Sequence, residues 1–366
     1  MNGPRPPRSG ALRTSVVICA YTIDRWGQLQ DAVSSVLAQR LPVEEVIVVI
    51  DHNAELLDLA TARWTAVNED GPVVRVIASR GAPGLSGARN SGVAAAAGEV
   101  VAFLDDDARA DAAWSEWLLS PYADPSVIAT GGAAEAALEA PRPSWWPREF
   151  DWIVGCSYTG LPAGRAAVRN LIGANMSARR AVIVDVGGFP ENVGRVGTRP
   201  LGCEETDLFI RVGQRWPEAR VVYEPRARVH HCVPAARLSW HYFRSRCYAE
   251  GLSKATVASR VGSDRALASE RSYVLRVLPR GMAHGLRDAC RGEEGAVLRA
   301  MAIAAGLGVT TAGYARGRLA GLVKAPFSPR CPLSPAEPVP AAGPNAEPAA
   351  GPNAEPAAGP NAGVAA

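Results

Sequence analysis

The sequence predicts an α/β fold with a mostly parallel central sheet flanked by helices, and three observations carry that prediction. Apolar, β-branched runs recur at 14–20 (TSVVICA), 44–50 (EEVIVVI), 72–78 (PVVRVIA) and 99–104 (EVVAFL). They are nearly continuous rather than alternating, as strands covered on both faces should be. Helix-like stretches separate them, which makes βαβ units. In such sheets ligands bind beyond the C-terminal strand ends, where Asp51 and Asp105, Asp106 and Asp107 fall.

The segment 26–39 places Leu29, Val33, Val36 and Leu37 on one helical face. The Ala-rich segment 84–97 reads as a helix that Ser86 caps and Gly98 closes. A Trp/Pro/Gly-rich section at 141–162 precedes an expected strand at 168–177, a loop at 186–197, a helix at 204–216 and a strand at 220–225. From Arg237 the chain reads as helical and basic, with 16 Lys/Arg against 6 Asp/Glu over 237–330. Its uncharged run at 300–315 is shorter than the roughly 20 residues that span a bilayer, so a buried or interfacial helix is expected. The Pro-rich start, residues 1–13, reads as a disordered lead-in. The repeat AAGPNAEP, at 341–348 and 349–356, has too little apolar bulk for a core, so residues 331–366 are expected to be disordered. The expected divisions between these ends are 14–108, 109–245 and 246–330.

Composition narrows the function classes. Of 366 residues, 48% are hydrophobic and 20% charged, an ordinary globular balance. Seven scattered cysteines without a C-x-x-C pair argue against a disulfide framework or zinc ribbon and for a reducing, cytoplasmic setting. The basic C-terminal third suits phosphates or an acidic membrane surface. No basic run interleaved with aromatics points to nucleic acid.

Four constellations carry chemistry. VVAFLDDDARAD (100–111) delivers three like charges from a buried strand to one point. That is either a solvated turn or a divalent-metal site, because adjacent carboxylates leave water only when a cation or donor compensates them. Mg²⁺ or Mn²⁺ takes such hard oxygen ligands together with substrate phosphates. RGAPGLSGARN (80–90) offers Gly81, Gly84 and Gly87 for close backbone approach and Arg89 for a base or diphosphate. It matches neither a dinucleotide fingerprint nor a P-loop. PLGCEETDLFIR (200–211) clusters Glu204, Glu205 and Asp207 at a helix start, where carboxylates suit the macrodipole. Asp207 and Arg211 are spaced to pair, leaving Glu205 free as a general base. In RVHHCVP (228–234), adjacent strand side chains point to opposite faces, so at most one of His230 and His231 meets a ligand.

In order, the terminal Asp of the second strand, G-L-S-G-A-R-N, D-D-D, G-A-N-M-S, G-G-F, C-E-E-T-D-L-x-x-R and V-x-H-x-V-P resemble family 2 glycosyltransferases of the GT-A fold, over roughly residues 14–255. The resemblance implies inverting transfer from a nucleoside-diphosphate sugar, most often a UDP-sugar, to a glycan or lipid-linked acceptor, with Mn²⁺ or Mg²⁺. It implies that Ala20 and Tyr21 form the first nucleotide loop and that Asp51 meets the base. Arg89 lies near the nucleotide and Asp106 near ribose or sugar. Asp105 and Asp107 form the D-x-D pair, with Asp107 a direct metal ligand and His231 an additional one. Glu205 stands where the family usually has an Asp base, and His52 replaces the second Asp of a common D-D-G-S motif. RCYAEGLSKA (246–255) resembles a segment of lipid-phosphate-dependent transferases, where Arg246 and Lys254 meet acceptor or donor phosphate. Trp145, Trp146 and Trp152, with Asn175, are candidates for an acceptor wall. The expected setting is the cytoplasm or cytoplasmic membrane face, in cell-envelope glycan synthesis. Two alternatives remain: a metal-dependent nucleotidyltransferase, and a non-catalytic nucleotide- or membrane-binding relative.

Overall fold

The structure, a computed structural model, describes residues 12–64, 72–191, 202–262 and 268–321. The expectations for the lead-in before residue 12 and for the repeat tail lie outside these residues.

The N-terminal half forms as the apolar runs dictate. β1 (Thr14–Ala20), β2 (Glu45–Ile50), β3 (Val73–Ala78) and β4 (Val100–Asp105) pair in parallel, in the spatial order β3-β2-β1-β4. β1 and β2 are buried along almost their whole length, whereas β3, at the sheet edge, leaves Val73 exposed. α1 (Trp26–Leu37), α2 (Ala54–Trp64) and α4 (Trp114–Leu119) cover one face through Leu29, Val33, Leu56, Trp114 and Leu118. α3 (Leu85–Ala95), α5 (Arg180–Asp185) and α6 (Glu204–Arg215) cover the other through Val93, Ile183, Leu208 and Phe209. α3 ends earlier than expected, at Ala95. Gly98 lies beyond it, its amide donating to Ser15 Oγ at 2.8 Å. Gly84 rather than Ser86 stands at the N-cap, and Ser86 is buried inside the helix.

Beyond β4 the sheet becomes mixed. β8 (Asn175–Arg179) runs antiparallel to β4, β6 (Val127–Leu138) antiparallel to β8, and β9 (Arg220–Val233) parallel to β6. The two-residue β7 (Ala166–Ala167) and β5 (Ala108–Ala110) also pair with β9, so a division at 108/109 falls inside a strand. Strand structure expected over 168–177 is confined to β8, because the chain must first cross from β7, against β9, to the opposite side of β6. β9 slips register beside Gly132, where Glu224 pairs with Gly132 but Arg228 with Ala133. The bulged Ala227 carbonyl lies so close to Gly132 that any Cβ there would collide with it.

Among the described residues from 240 to 321 the chain is mostly helical, as expected. α7 (Trp240–Val261) packs along the helix Ala296–Gly321, with Leu278–Cys290 beside it. The helix at 296–321 is longer than the uncharged run, and Ala296–Ala320 is long and apolar enough, by length and composition, to cross a membrane. One face nonetheless lies against α7: the Gly251 backbone meets that of Thr310 and Tyr314 without room for a side chain.

Asn175 locks the strands together. It is fully buried; its amide nitrogen donates to the carbonyls of Ala133 and Ala227, and its oxygen accepts Trp114 Nε1, each at 2.8 Å. Asn175→Leu therefore leaves a buried indole N–H and two carbonyls unpaired, at roughly 2–4 kcal/mol. Urea unfolding should show a loss of that size, and a loss below about 0.5 kcal/mol would contradict the role.

Candidate functional site

Strand ends and helix starts converge on a cavity of about 610 Å³ lined by Arg89, Asp105, Glu204, Glu205, His231 and Arg237, among others. β4 delivers Asp105 to its wall, and the following turn buries Asp106 and Asp107. The β9 bulge carries the outer half of that strand over β5, pairing His231 with Ala108. Cys232 N–H donates to the Asp107 carbonyl at 2.8 Å. His231 thereby meets the aspartates, while His230, on the opposite face, pairs with Asp111 at 2.8 Å.

Asp105, Asp107 and His231 offer two carboxylate oxygens and a ring nitrogen within 4.8 Å of one another. This hard-oxygen and imidazole set fits a divalent ion such as Mg²⁺ or Mn²⁺. Asp107 Oδ1 lies 3.0 Å from His231 Nε2, and its Oδ2 lies 3.0 Å from Arg25 and 3.7 Å from Arg237. Burial would lift the Asp107 carboxyl, but these three cations outweigh it and hold the group well below the usual carboxylate range. Burial likewise works against the His231 imidazolium, yet Asp107 raises its pKa to about 10. Asp106 accepts a 2.8 Å bond from Arg25, and burial beside Asp107 still pushes its pKa up to about 7. Its Oδ2 is buried with no hydrogen-bond partner among the described residues.

Arg89, also fully covered, lies 2.7 Å from Glu204 and 3.5 Å from Asp105, and donates to the Gly173 carbonyl at 3.1 Å. Its guanidinium is flanked by the Phe103 and Phe189 rings, with centroids 5.8 and 5.5 Å away. Glu205 is the second residue of α6, which begins after Cys203, whose left-handed φ of 73° makes the sharp entry into the helix. Burial, then the neighbouring Glu204 charge, raises the Glu205 pKa to about 8, with Glu250 adding to the rise and Arg89 offsetting part of it. Asp207 is fully buried and paired with Arg211 at 2.8 Å, as its spacing predicts, and with Arg260 at 3.1 Å.

The remaining candidates divide. Ala20 is buried at the end of β1 and its carbonyl accepts Asp51 N–H at 2.8 Å; Tyr21 is exposed. Asp51 accepts the Gly84 amide at 2.8 Å and contacts His52 at 2.7 Å. Arg246 and Lys254 line the cavity. Trp145 and Trp146 do not: both pack against Phe243, and the Trp146 indole donates to Asp151 at 2.8 Å. Trp152 is the tryptophan in the cavity wall, and Asn175 lies outside that wall. Arg25 and Arg237 escape notice in the sequence because a basic residue's long-range partner has no local signature. The nearest signal is position, just beyond β1 and β9.

The sequence model of glycosyl transferase family 2 matches residues 15–187. A glucosyl-dolichyl phosphate glucuronosyltransferase of Haloferax volcanii is 33% identical over 244 residues, which cover 66% of this chain and 76% of that protein. The chain belongs to glycosyl transferase family 2. This glycosyltransferase is also 28% identical over 229 residues to a pre-mycofactocin glycosyltransferase of Mycobacterium tuberculosis, spanning 44% of that protein. Its fold is GT-A: a Pyrobaculum calidifontis mannosyltransferase, solved with GDP-Man and Mn²⁺, superposes with TM-score 0.56 at 17% identity, over 85% of this chain and 88% of that one. The enzyme transfers a sugar from a nucleotide-sugar donor.

In this glycosyltransferase Arg89 balances Glu204 and Asp105. Arg89→Met leaves two acids short of a cation and should lower stability by about 3–5 kcal/mol, read by urea unfolding. A change below 1 kcal/mol would show that neither acid depends on it.

Proposed function

We propose that the chain is an inverting glycosyltransferase in which Glu205 is the general base and Asp105, Asp107 and His231 hold a divalent ion, Mn²⁺ or Mg²⁺. Support comes chiefly from one observation: Glu205 lines the same cavity as Asp105 and His231, two of the three candidate ligands, with its proton affinity raised toward neutral pH. A general base works best when its pKa lies near the operating pH.

The donor is a UDP-sugar in this reading. Ala20, Tyr21 and Asp51 sit where the nucleoside binds, and Asp106 lies toward ribose or sugar. Asp105, Asp107 and His231 would hold the ion, which when bound would supply positive charge to the leaving diphosphate. Arg89 adds a fixed positive potential from beneath Asp105. Glu205 takes the proton of the acceptor hydroxyl as its oxygen attacks the anomeric carbon from the face opposite the diphosphate, inverting the configuration. Glu204 stays paired with Arg89 and Asp207 with Arg211 and Arg260, so neither competes for that proton.

The acceptor is lipid-linked in this reading. The Haloferax volcanii relative is named for a glucosyl-dolichyl phosphate. The apolar residues Val274, Leu275, Leu278 and Leu307 line one part of the cavity, and Leu275 is strongly exposed. Leu286, Val297, Leu298 and Met301 are exposed on the C-terminal helices beside Arg287, Arg291 and Arg299, a pattern suited to peripheral contact with the acidic cytoplasmic face of a membrane. Such a setting fits cell-envelope glycan synthesis.

Glu205→Gln should keep donor affinity and lose transfer by about 10²–10⁴-fold. Equal transfer by this variant would remove Glu205 from the role. The carboxyl accepts a proton only when ionised, so the wild-type transfer rate should rise with pH, level off above about 8 and lack this limb in the variant. Glu204, Arg89 and Glu250 are the charged groups that set this pKa. A flat profile from pH 6 to 9 would contradict the assignment.

A further inference from the structure

Part of the cavity wall carries an arrangement that the reaction above does not use. Arg169, from the loop before β8, and Lys254, from α7, both meet Glu270 on the short helix Ala268–Ser272. Arg169 donates through both terminal nitrogens to the two Glu270 oxygens, at 2.8 Å each, and Lys254 Nζ donates to Oε1 at 2.6 Å. A guanidinium fork closed on two oxygens, with an ammonium on the same anion, is also the geometry that grips phosphate. Burial would raise the Glu270 pKa, but Lys254 and Arg169 hold it at about 2, so the carboxylate is ionised at any working pH.

Three features set this cluster apart from an ordinary surface salt bridge. It faces the cavity that holds Glu205, and the side chains of Arg169, Lys254 and Glu270 keep only 19%, 12% and 26% of their exposure. The two cations need an anion there, because an unpaired charge at such a site is costly, but nothing in the geometry requires a carboxylate. Directly after the short helix the chain makes a π-helical turn, Tyr273–Val277, a rare form that concentrates at functional sites. Cys203, at the entry to α6, donates to Glu250, which lies 3.5 Å from Lys254; the cation pair therefore adjoins the helix start that carries Glu205.

We propose that Arg169 and Lys254 form a phosphate site for the acceptor, and that Glu270 occupies it here as an internal stand-in which the acceptor phosphate displaces. The proposal rests on the lipid-linked acceptor reading and deepens it. The acceptor sugar hydroxyl meets Glu205, its phosphate meets Arg169 and Lys254, and its apolar chain leaves past Leu278 and Leu275. Glu250 remains a partner for Lys254 after Glu270 gives way.

Calorimetric titration of the full chain with farnesyl phosphate, inorganic phosphate and UDP with Mn²⁺ tests this. Glu270→Gln keeps the shape and removes the competing charge, so farnesyl phosphate should bind at least tenfold tighter than to wild type, with UDP affinity unchanged. Glu270→Asp, which keeps the charge but shortens its reach, should gain in the same direction by less. Lys254→Gln in the Glu270→Gln background should abolish the gain. A gain for UDP instead, or an equal gain for inorganic phosphate, would overturn the acceptor assignment. No gain with any probe, together with a lowered Tm, would make the cluster a structural ion network and overturn the proposal. Donor hydrolysis by wild type tests the proposed function separately: its absence would count against that function while leaving the phosphate titration intact.

Discussion

The compensation of Asp105, Asp106 and Asp107 is the interaction on which the rest of the site depends. Three adjacent carboxylates at a strand end, two of them buried, repel one another and have lost much of their hydration. Each is met by a cation brought from elsewhere: Asp105 by Arg89, Asp106 by Arg25, and Asp107 by Arg25, His231 and Arg237. Those cations come from the start of α1, from α3, from β9 and from the turn beyond β9. One electrostatic demand thus ties the first strand-to-helix connection to the last strand of the sheet.

The same network reaches the start of α6. Arg89 is closer to Glu204 than to Asp105, and this pairing fixes the start of α6 against α3. Glu205 is left beside a charged neighbour whose cation is already engaged, which is why burial and Glu204 prevail over Arg89 in raising its proton affinity. The β9 bulge has a comparable consequence. Without the slip at Gly132 the outer half of β9 would not follow β5, and His231 would not lie 3.0 Å from Asp107.

Much of this was legible in the sequence for local reasons. β1, β2 and β4 announce themselves as unbroken apolar runs, and the aspartate triplet, the acidic start of α6 and His231 stand out against them. β6 did not, because VIATGGAAEAAL has two glycines and many alanines, and its place in the sheet comes from pairing with β8 and β9 rather than from strand propensity. Asn175 resembles a ligand-facing polar residue in sequence, yet its amide is spent on two carbonyls and an indole. Trp145 and Trp146 likewise satisfy an aromatic core around Phe243. Arg25, Arg237 and Glu270 have roles set by partners roughly a hundred residues away, which no local pattern encodes.

In the proposed function the compensated aspartates with His231 form a metal site for the donor diphosphate. Calorimetric titration of UDP into wild type and Asp107→Asn, each with Mn²⁺ and with a chelator, tests it most directly. Mn²⁺ should tighten UDP binding to wild type by at least tenfold and have little effect on the variant. Metal-independent binding by wild type, or an undiminished Mn²⁺ effect in the variant, would contradict it and return the aspartate run to a purely structural role.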